Sequence, residues 1–351
     1  MPKIPQHDAH HIVFGAGLIG CFIGACLIKA QQRVTLHARS HIITELQENE
    51  YMITDYQHHE YKVLDKPAFS SGEQIHGDID SADCVWLTVK CTQLDTCISD
   101  LHRFVDESTI IMCCQNGIST HKIIKAAFPN NHVLRAMIPF NVTRVGPGHF
   151  HRGSKGHMTL EVTPAMENTV KWLARQLDSF ILPVDITYNM TALQWAKLQL
   201  NLGNALNALV DVPVKQMLKS RRYRLILALM MEELIKVATK KKIKLPKVTN
   251  LPNKLIPIVL RLPDFLFSIV AQKTLTIGPN VRTSMWWDLH NKQLTEIDFL
   301  NGKVVDSANK MDVSAPANRL ITAMIKKKEQ GKKDSLNEIE KRFDALLSSH
   351  R

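Results

Sequence analysis

Three sets of residues in this chain have the types and the spacing to do chemistry. In "WAKLQLNLGNALNALV" (195–210), Lys197, Asn201 and Asn204 stand at i, i+4 and i+7. At about 100° per residue they share one helical face. Asparagine is a poor helix former and costs free energy to bury. An ammonium and two amides on an otherwise apolar helix therefore suggest a polar pocket. The ammonium would face a carbonyl oxygen, and the amides would orient a small polar ligand. The spacing alone suits a solvated stripe equally well. The second set is "GAGLIG", where Gly15, Gly17 and Gly20 enclose Leu18 and Ile19 in G-x-G-x-x-G spacing. Such a turn, between a strand and a helix, cradles the pyrophosphate of a dinucleotide at the helix N-terminus. The third is Arg39, about 20 residues beyond the glycines, in "LHARS". An NAD-binding chain carries Asp or Glu there for the ribose 2′-hydroxyl; a guanidinium instead grips a 2′-phosphate. The expected cofactor is NADPH/NADP+.

The elements that must position these groups follow from the pattern. "HIVF" (11–14), "RVTLH" (33–37), "DCVWLTV" (83–89) and "TIIMCC" (109–114) read as buried strands, with helices at 18–30 and in "TQLDTCISDLHRF". Further strands are expected at 132–138 and 157–162 and a helix at 168–180. Strands alternating with helices argue for a doubly wound parallel sheet. From Thr191 the texture is helical, at 191–210, 221–242, 295–310 and 315–328. Residues 245–265 contain Pro246, Pro252, Pro257 and Pro263, which forbid one long helix. "SLNEIEKRFDALLSSH" fits a short amphipathic helix. The expected domains are 1–187, 188–330 and a charged tail 331–351.

The apolar run 12–28 has 17 residues, short of the roughly 20 a spanning helix needs, and lacks a basic flank and cleavage site. No membrane segment is expected. The seven cysteines are scattered without zinc-ligand spacing, which fits reduced thiols in a cytoplasmic protein. No metal-ligand cluster is evident. The net charge of +11 is compatible with nucleic acid, an anionic membrane surface or acidic small molecules. Lysines cluster at 236–247 and again at Lys326, Lys327, Lys328, Lys332 and Lys333. They are not interleaved with aromatics and carry no nucleic-acid-binding signature, so a solvated basic face is expected and no nucleic-acid partner.

Taken in order, the motifs resemble the ketopantoate reductase (2-dehydropantoate 2-reductase) family over roughly residues 11–330. They are "GAGLIG", Arg39, "LTVKCTQ" with Lys90 and Gln93, "QNGIS" with Asn116 and Gly117, "WAKLQLN", "TSMWWDL" with Ser284 and Asp288, and "LTEIDFLNG" with Glu296, Asn301 and Gly302. The resemblance implies an α/β N-terminal Rossmann domain and an all-α C-terminal domain of the 6-phosphogluconate dehydrogenase C-terminal-like type, with the active site in the cleft between them. It implies NADPH-dependent reduction of ketopantoate to D-pantoate, for pantothenate and coenzyme A synthesis. It makes Lys197 the proton donor and Glu296 the acid that supports this lysine or the substrate, and Glu296 is also counted among the expected cofactor-binding residues. Asn116 would serve both nicotinamide and substrate. Asn201 would hold substrate hydroxyls, Ser284 the carboxylate, and Arg39 and Lys90 the cofactor; Asn204, on the same helical face, is expected to bind substrate from its spacing and not from the resemblance.

Two departures bear on the substrate. Family members often place a second asparagine eight residues after the lysine; here that position is Ala205, with Asn204 before it. Two tryptophans also stand in "TSMWWDL". Reduction of another 2-keto acid on the same scaffold therefore stays open, as does a non-catalytic NADPH-binding protein, although the latter has no use for a proton donor. A monomer and a homodimer are both compatible with the sequence.

Overall fold

A computed structural model describes residues 9–72, 81–274, 278, 280–332 and 334–349, so Lys333 of the second lysine cluster lies outside the described residues. The chain divides into two compact units, Met1–Met190 and Thr191–Arg351.

In the first unit the order is β1 (His10–Phe14), α1 (Leu18–Lys29), β2 (Arg33–His37), α2 (Ser40–Glu48), β3 (Tyr51–Asp55), β4 (Glu60–Val63), β5 (Ala68–Ser70) and β6 (Cys84–Leu87). There follow α3 (Leu94–Leu101), β7 (Ile110–Cys113), α4 (Thr120–Ala127), β8 (His132–Met137), β9 (Val142–Gly146), β10 (His149–Arg152), β11 (Met158–Glu161), α5 (Glu167–Leu177) and β12 (Val184–Thr187). Eight strands form one sheet in the order β12-β11-β8-β7-β6-β1-β2-β5, parallel throughout except for the β8–β11 pair. Alternate side chains of β1 enter different cores. Val13 joins Phe22 and Ile23 of α1. Ile12 and Phe14 join Leu94 and Leu101 of α3 and Ile124 of α4. A strand covered on both faces must be apolar at every position, which is why residues 12–28 imitate a membrane segment. Among the described residues, no helix is long and apolar enough to cross a membrane.

A second sheet, ordered β4-β3-β10-β9, is absent from the sequence-based expectations. Its strands are four or five residues of mixed polarity, too short to show a period. Tyr51 of β3 ties it to α1 by donating its hydroxyl to the carbonyl of Cys21.

His11 of β1 is fully buried and accepts a hydrogen bond from Trp86 Nε1 at 3.1 Å. Burial pushes its pKa down from 6.5 to about 4. Between those values the unfolded chain binds the proton and the native chain does not. Stability is therefore full above about pH 6.5 and lost as pH falls toward 4. The expected loss is on the order of 2 kcal/mol. Denaturant unfolding at neutral pH and near pH 4 should show it, and His11→Gln should show a shallower pH dependence.

The second unit comprises α6 (Met190–Val210), α7 (Val214–Lys219), α8 (Arg221–Lys240), α9 (Leu255–Arg261), α10 (Asp264–Thr274), α11 (Ser284–His290), α12 (Asn301–Asn309), α13 (Pro316–Glu329) and α14 (Leu336–Ser348). The expected helix at 295–310 is instead a short 3-10 turn at Ile297–Phe299 followed by α12. The prolines break residues 245–265 into a loop and the short helix α9, with α10 opening at the next residue but one after Leu262. Gln199 of α6 holds the loop by donating to the carbonyl of Asn253 at 2.9 Å.

Buried polar groups lock the bundle. Glu233 of α8 accepts from the backbone N–H groups of Ala317 and Asn318 at 2.7 and 2.9 Å, so a carboxylate caps the N-terminus of α13. Asn318 donates to Glu233 and to the carbonyl of Met230, and Asn301 donates to Asn318 at 3.1 Å. The C-terminal segment holds α14, started by a capping box of Ser335 and Glu338. Its Phe343 is buried edge-on against Tyr223 of α8.

Candidate active site

The carboxyl ends of β2, β1, β6 and β7 form one edge of the parallel sheet. Phe14 pairs with His37 and with Leu87, and Leu87 pairs with Cys113. The segments after these residues therefore start side by side. They carry the glycine turn, Arg39, Lys90 and Asn116. Loops beyond the strand ends are where doubly wound sheets bind ligands.

The glycine turn is built for a close approach. Gly15 adopts φ +89°, and its N–H and that of Ala16 both donate to the carbonyl of His37 at 3.0 Å. A Cβ at Gly15 would lie 2.4 Å from Val89, and one at Gly20 would lie 2.6 Å from Thr88 Oγ1. Packing excludes a side chain at both. Gly17 differs: a Cβ there would meet nothing nearer than the Gly15 carbonyl at 3.9 Å. The protein's own packing leaves this space open, so the cradle fits a bound pyrophosphate. Gly17 caps α1 without a side-chain hydrogen bond, and Leu18 and Ile19 open the helix. The first N–H groups of a helix lack partners within it and favour an anion. Leu18 is 44% exposed at this mouth.

Arg39 is the exposed N-cap residue of α2, two positions past the end of β2. Its side chain makes no ion pair among the described residues. Lys90 is half-buried just after β6, and Asn116 is half-buried after β7. The Cys91 thiol donates to the Asn116 carbonyl at 3.0 Å and joins these two loops. Gln115 donates to the Leu87 carbonyl at 2.8 Å. Gly117 takes φ +85°, which lets the loop turn back after Asn116. All seven cysteines are free and buried, and burial raises the pKa of the Cys21, Cys26, Cys84, Cys97, Cys113 and Cys114 thiols, so these six are poor nucleophiles.

In the helical unit, Lys197, Asn201 and Asn204 lie on the half-buried face of α6, while Leu198, Leu202 and Ala205 are buried. The stripe is therefore neither core nor fully solvated. Ser284, exposed, begins α11. Thr283 before it donates Oγ1 to the Asn204 carbonyl at 3.2 Å, and its N–H to Asn207 Oδ1 at 3.2 Å. Ser284 thus stands beside the Asn204 end of the stripe. Glu296 is 8% exposed, between Thr295 and the 3-10 turn. Thr295 is held by Glu329 of α13, which accepts from its N–H at 2.8 Å.

Sequence reasoning missed Asn207, which is fully buried and also donates to the Val212 carbonyl at 2.7 Å. It positions the start of α11. The signal was present as asparagines at 201, 204 and 207, three apart. Asn301, quoted in the "LTEIDFLNG" motif, takes part in the α8–α12–α13 lock. Among the described residues, no group of His, Cys, Asp and Glu is placed to hold a metal ion.

Comparison with known proteins places the same motifs in one family. The family model described as ketopantoate reductase PanE/ApbA matches residues 11–165, and its C-terminal companion matches 189–329. A 2-dehydropantoate 2-reductase of Streptococcus pyogenes serotype M3 is 24% identical over 322 residues, covering 90% of this chain and 97% of its own. Among solved structures, a PanE/ApbA family ketopantoate reductase from Ralstonia eutropha JMP134 superposes with a TM-score of 0.75 at 24% identity, over 92% of this chain and 99% of that one. D-mandelate dehydrogenase, solved with NADH and anilino(oxo)acetate, gives 0.74 at 22% identity, over 93% of this chain and 99% of that one.

Proposed function

The chain belongs to the ketopantoate reductase family, and on that premise we propose that it reduces ketopantoate to D-pantoate with NADPH, a step toward pantothenate and coenzyme A. The observation that carries this reading is the half-buried face of α6, where Lys197, Asn201 and Asn204 line up in an otherwise apolar helix. A substrate with a keto group, a carboxylate and a hydroxyl asks for that set of donors.

NADPH would be held by the Gly15–Gly20 turn, the α1 N-terminus, Arg39 and Lys90, with Asn116 and Glu296 toward its nicotinamide end. When bound, it supplies the hydride for the keto carbon. The chain's own residues do the rest. Lys197 places an ammonium at the keto oxygen, stabilises the negative charge that grows there and gives up the proton. Glu296 keeps that ammonium oriented. Asn201 and Asn204 hold the substrate hydroxyl, and Ser284 holds its carboxylate. Product identification tests the reading: with ketopantoate and NADPH the protein should form D-pantoate as NADPH is consumed. If neither changes, the reading is wrong.

Cofactor preference rests on Arg39, since no acid ends β2. Arg39→Ala is expected to weaken NADPH binding on the order of 10- to 100-fold and NADH binding little. Titration of both cofactors checks this, and an equal loss for the two would contradict it.

One observation favours a second reading, reduction of a bulkier 2-keto acid. Trp287, three residues after Ser284 and on the same face of α11, is 51% exposed. Its indole packs edge-on against Trp286 at 4.8 Å, and Trp286 is stacked on His290 and hydrogen-bonded to Asp211 at 2.6 Å. An indole held in place next to the carboxylate serine offers an apolar wall to a substrate side chain.

A further inference from the structure

The chain's positive charge is concentrated beside an exposed apolar ridge. Residues 236–274 hold nine Lys and Arg and one acid, Asp264, a net +8 of the chain's +11. That acid is already paired, accepting from Arg224 at 2.7 Å. Lys236, Lys240, Lys242, Lys244, Lys247 and Lys254 are exposed and make no ion pair among the described residues. In the same segment α9 and α10 expose Leu255 (43%), Ile258 (57%), Phe265 (67%), Leu266 (38%) and Ile269 (49%).

The packing puts the two features together. Arg224, near the start of α8, donates to the carbonyls of Leu260 and Leu262 at the end of α9, and Arg261 pairs with Glu232. Hence α9 runs antiparallel to α8. Asn253, just before α9, donates to the carbonyl of Pro246 at 3.0 Å, so the loop that carries Lys244 and Lys247 lies against the start of α9, next to Lys254 and Leu255. Soluble monomers rarely leave so many large apolar side chains exposed in one place. Short helices with an apolar face and flanking lysines are suited to lie in the plane of a bilayer surface. At 1.5 Å per residue neither α9 nor α10 is long enough to span one.

We propose that the α9–α10 ridge and its lysines dock this protein peripherally on anionic lipid bilayers. Charge selects this occupant over a second copy of the chain. A two-fold pairing of identical ridges would set one +8 segment against another. Anionic headgroups attract the same lysines while the apolar residues enter the interface. The proposal is independent of the reductase reading.

Co-sedimentation of the full chain with vesicles tests it. The protein should pellet with phosphatidylcholine vesicles containing phosphatidylserine, not with phosphatidylcholine alone, and added salt should release it. The ridge variant Ile258→Ser/Phe265→Ser/Ile269→Ser should lose on the order of tenfold or more in vesicle affinity. The charge variant Lys240→Gln/Lys242→Gln/Lys244→Gln should do the same, and both should keep the wild-type circular dichroism and unfolding midpoint. Failure to pellet with the anionic vesicles would overturn the proposal. So would normal pelleting of both variants, or a ridge variant that turns a dimer into a monomer in sedimentation velocity while binding vesicles as before.

Discussion

Lys197→Ala is expected to lower kcat by about 10²- to 10⁴-fold, the range contributed by a positioned general acid. NADPH affinity should stay near wild type, because the glycine turn and Arg39 belong to the other unit of the chain. The split follows from location. Lys197 is half-buried on α6, between Ala196 and Leu198, which are both buried, so its truncation removes a cation and little packing. The lost interaction is one that strengthens as charge develops on the keto oxygen, which makes the effect fall on kcat rather than on cofactor binding. Steady-state kinetics together with a direct NADPH titration read the two quantities separately. Normal turnover in the variant would remove Lys197 from the mechanism. A fall in both quantities together would point to damage to the fold.

Arg224→Ala should be the most damaging single change to stability in the helical unit. The side chain is fully buried and donates to the carbonyls of Leu218, Lys219, Leu260 and Leu262 and to Asp264. Its guanidinium also lies 4.2 Å from the centre of the Phe267 ring. It fastens α7, α8, α9 and α10 to one point. Truncation leaves four carbonyls without this donor, that of Leu260 buried, and opens a cavity where the fully buried side chain stood, a cost on the order of 3–5 kcal/mol. Against the 5–15 kcal/mol of a typical protein, that is a large share. A thermal midpoint lower by on the order of 10 °C is expected. Arg224→Lys should recover only part of it, since an ammonium cannot reach five acceptors in different directions. A midpoint within a degree or two of wild type would mean that the backbone groups find other partners.

The sheet that carries the candidate cofactor site was legible because its strands are buried on both faces. β1, β2, β6 and β7 each fall inside or next to an apolar run. Gly15 and Gly20 were legible because turn geometry and packing demand glycine there. The second sheet was not, because "EYKV" and "HFHR" are exposed or half-buried on one side and too short to reveal a period. On α6, Lys197, Asn201 and Asn204 could be placed on one face from spacing alone, but not whether that face was solvated; this took the burial of their neighbours. Arg224 and Glu233 looked like ordinary charges of a surface helix. Their acceptors and donors lie up to 85 residues away in sequence, at Asp264, Ala317 and Asn318, and no local pattern announces such a partner.

The central claim is that this chain reduces ketopantoate with NADPH. The most direct measurement is kcat/KM for NADPH oxidation with ketopantoate against 2-keto acids lacking its hydroxyl and against phenylglyoxylate. Amides placed for a substrate hydroxyl should favour ketopantoate by roughly 10²-fold or more over analogues without one. Comparable or better values for phenylglyoxylate, or for the unhydroxylated acids, would contradict the claim and assign the pocket to the Trp287 wall.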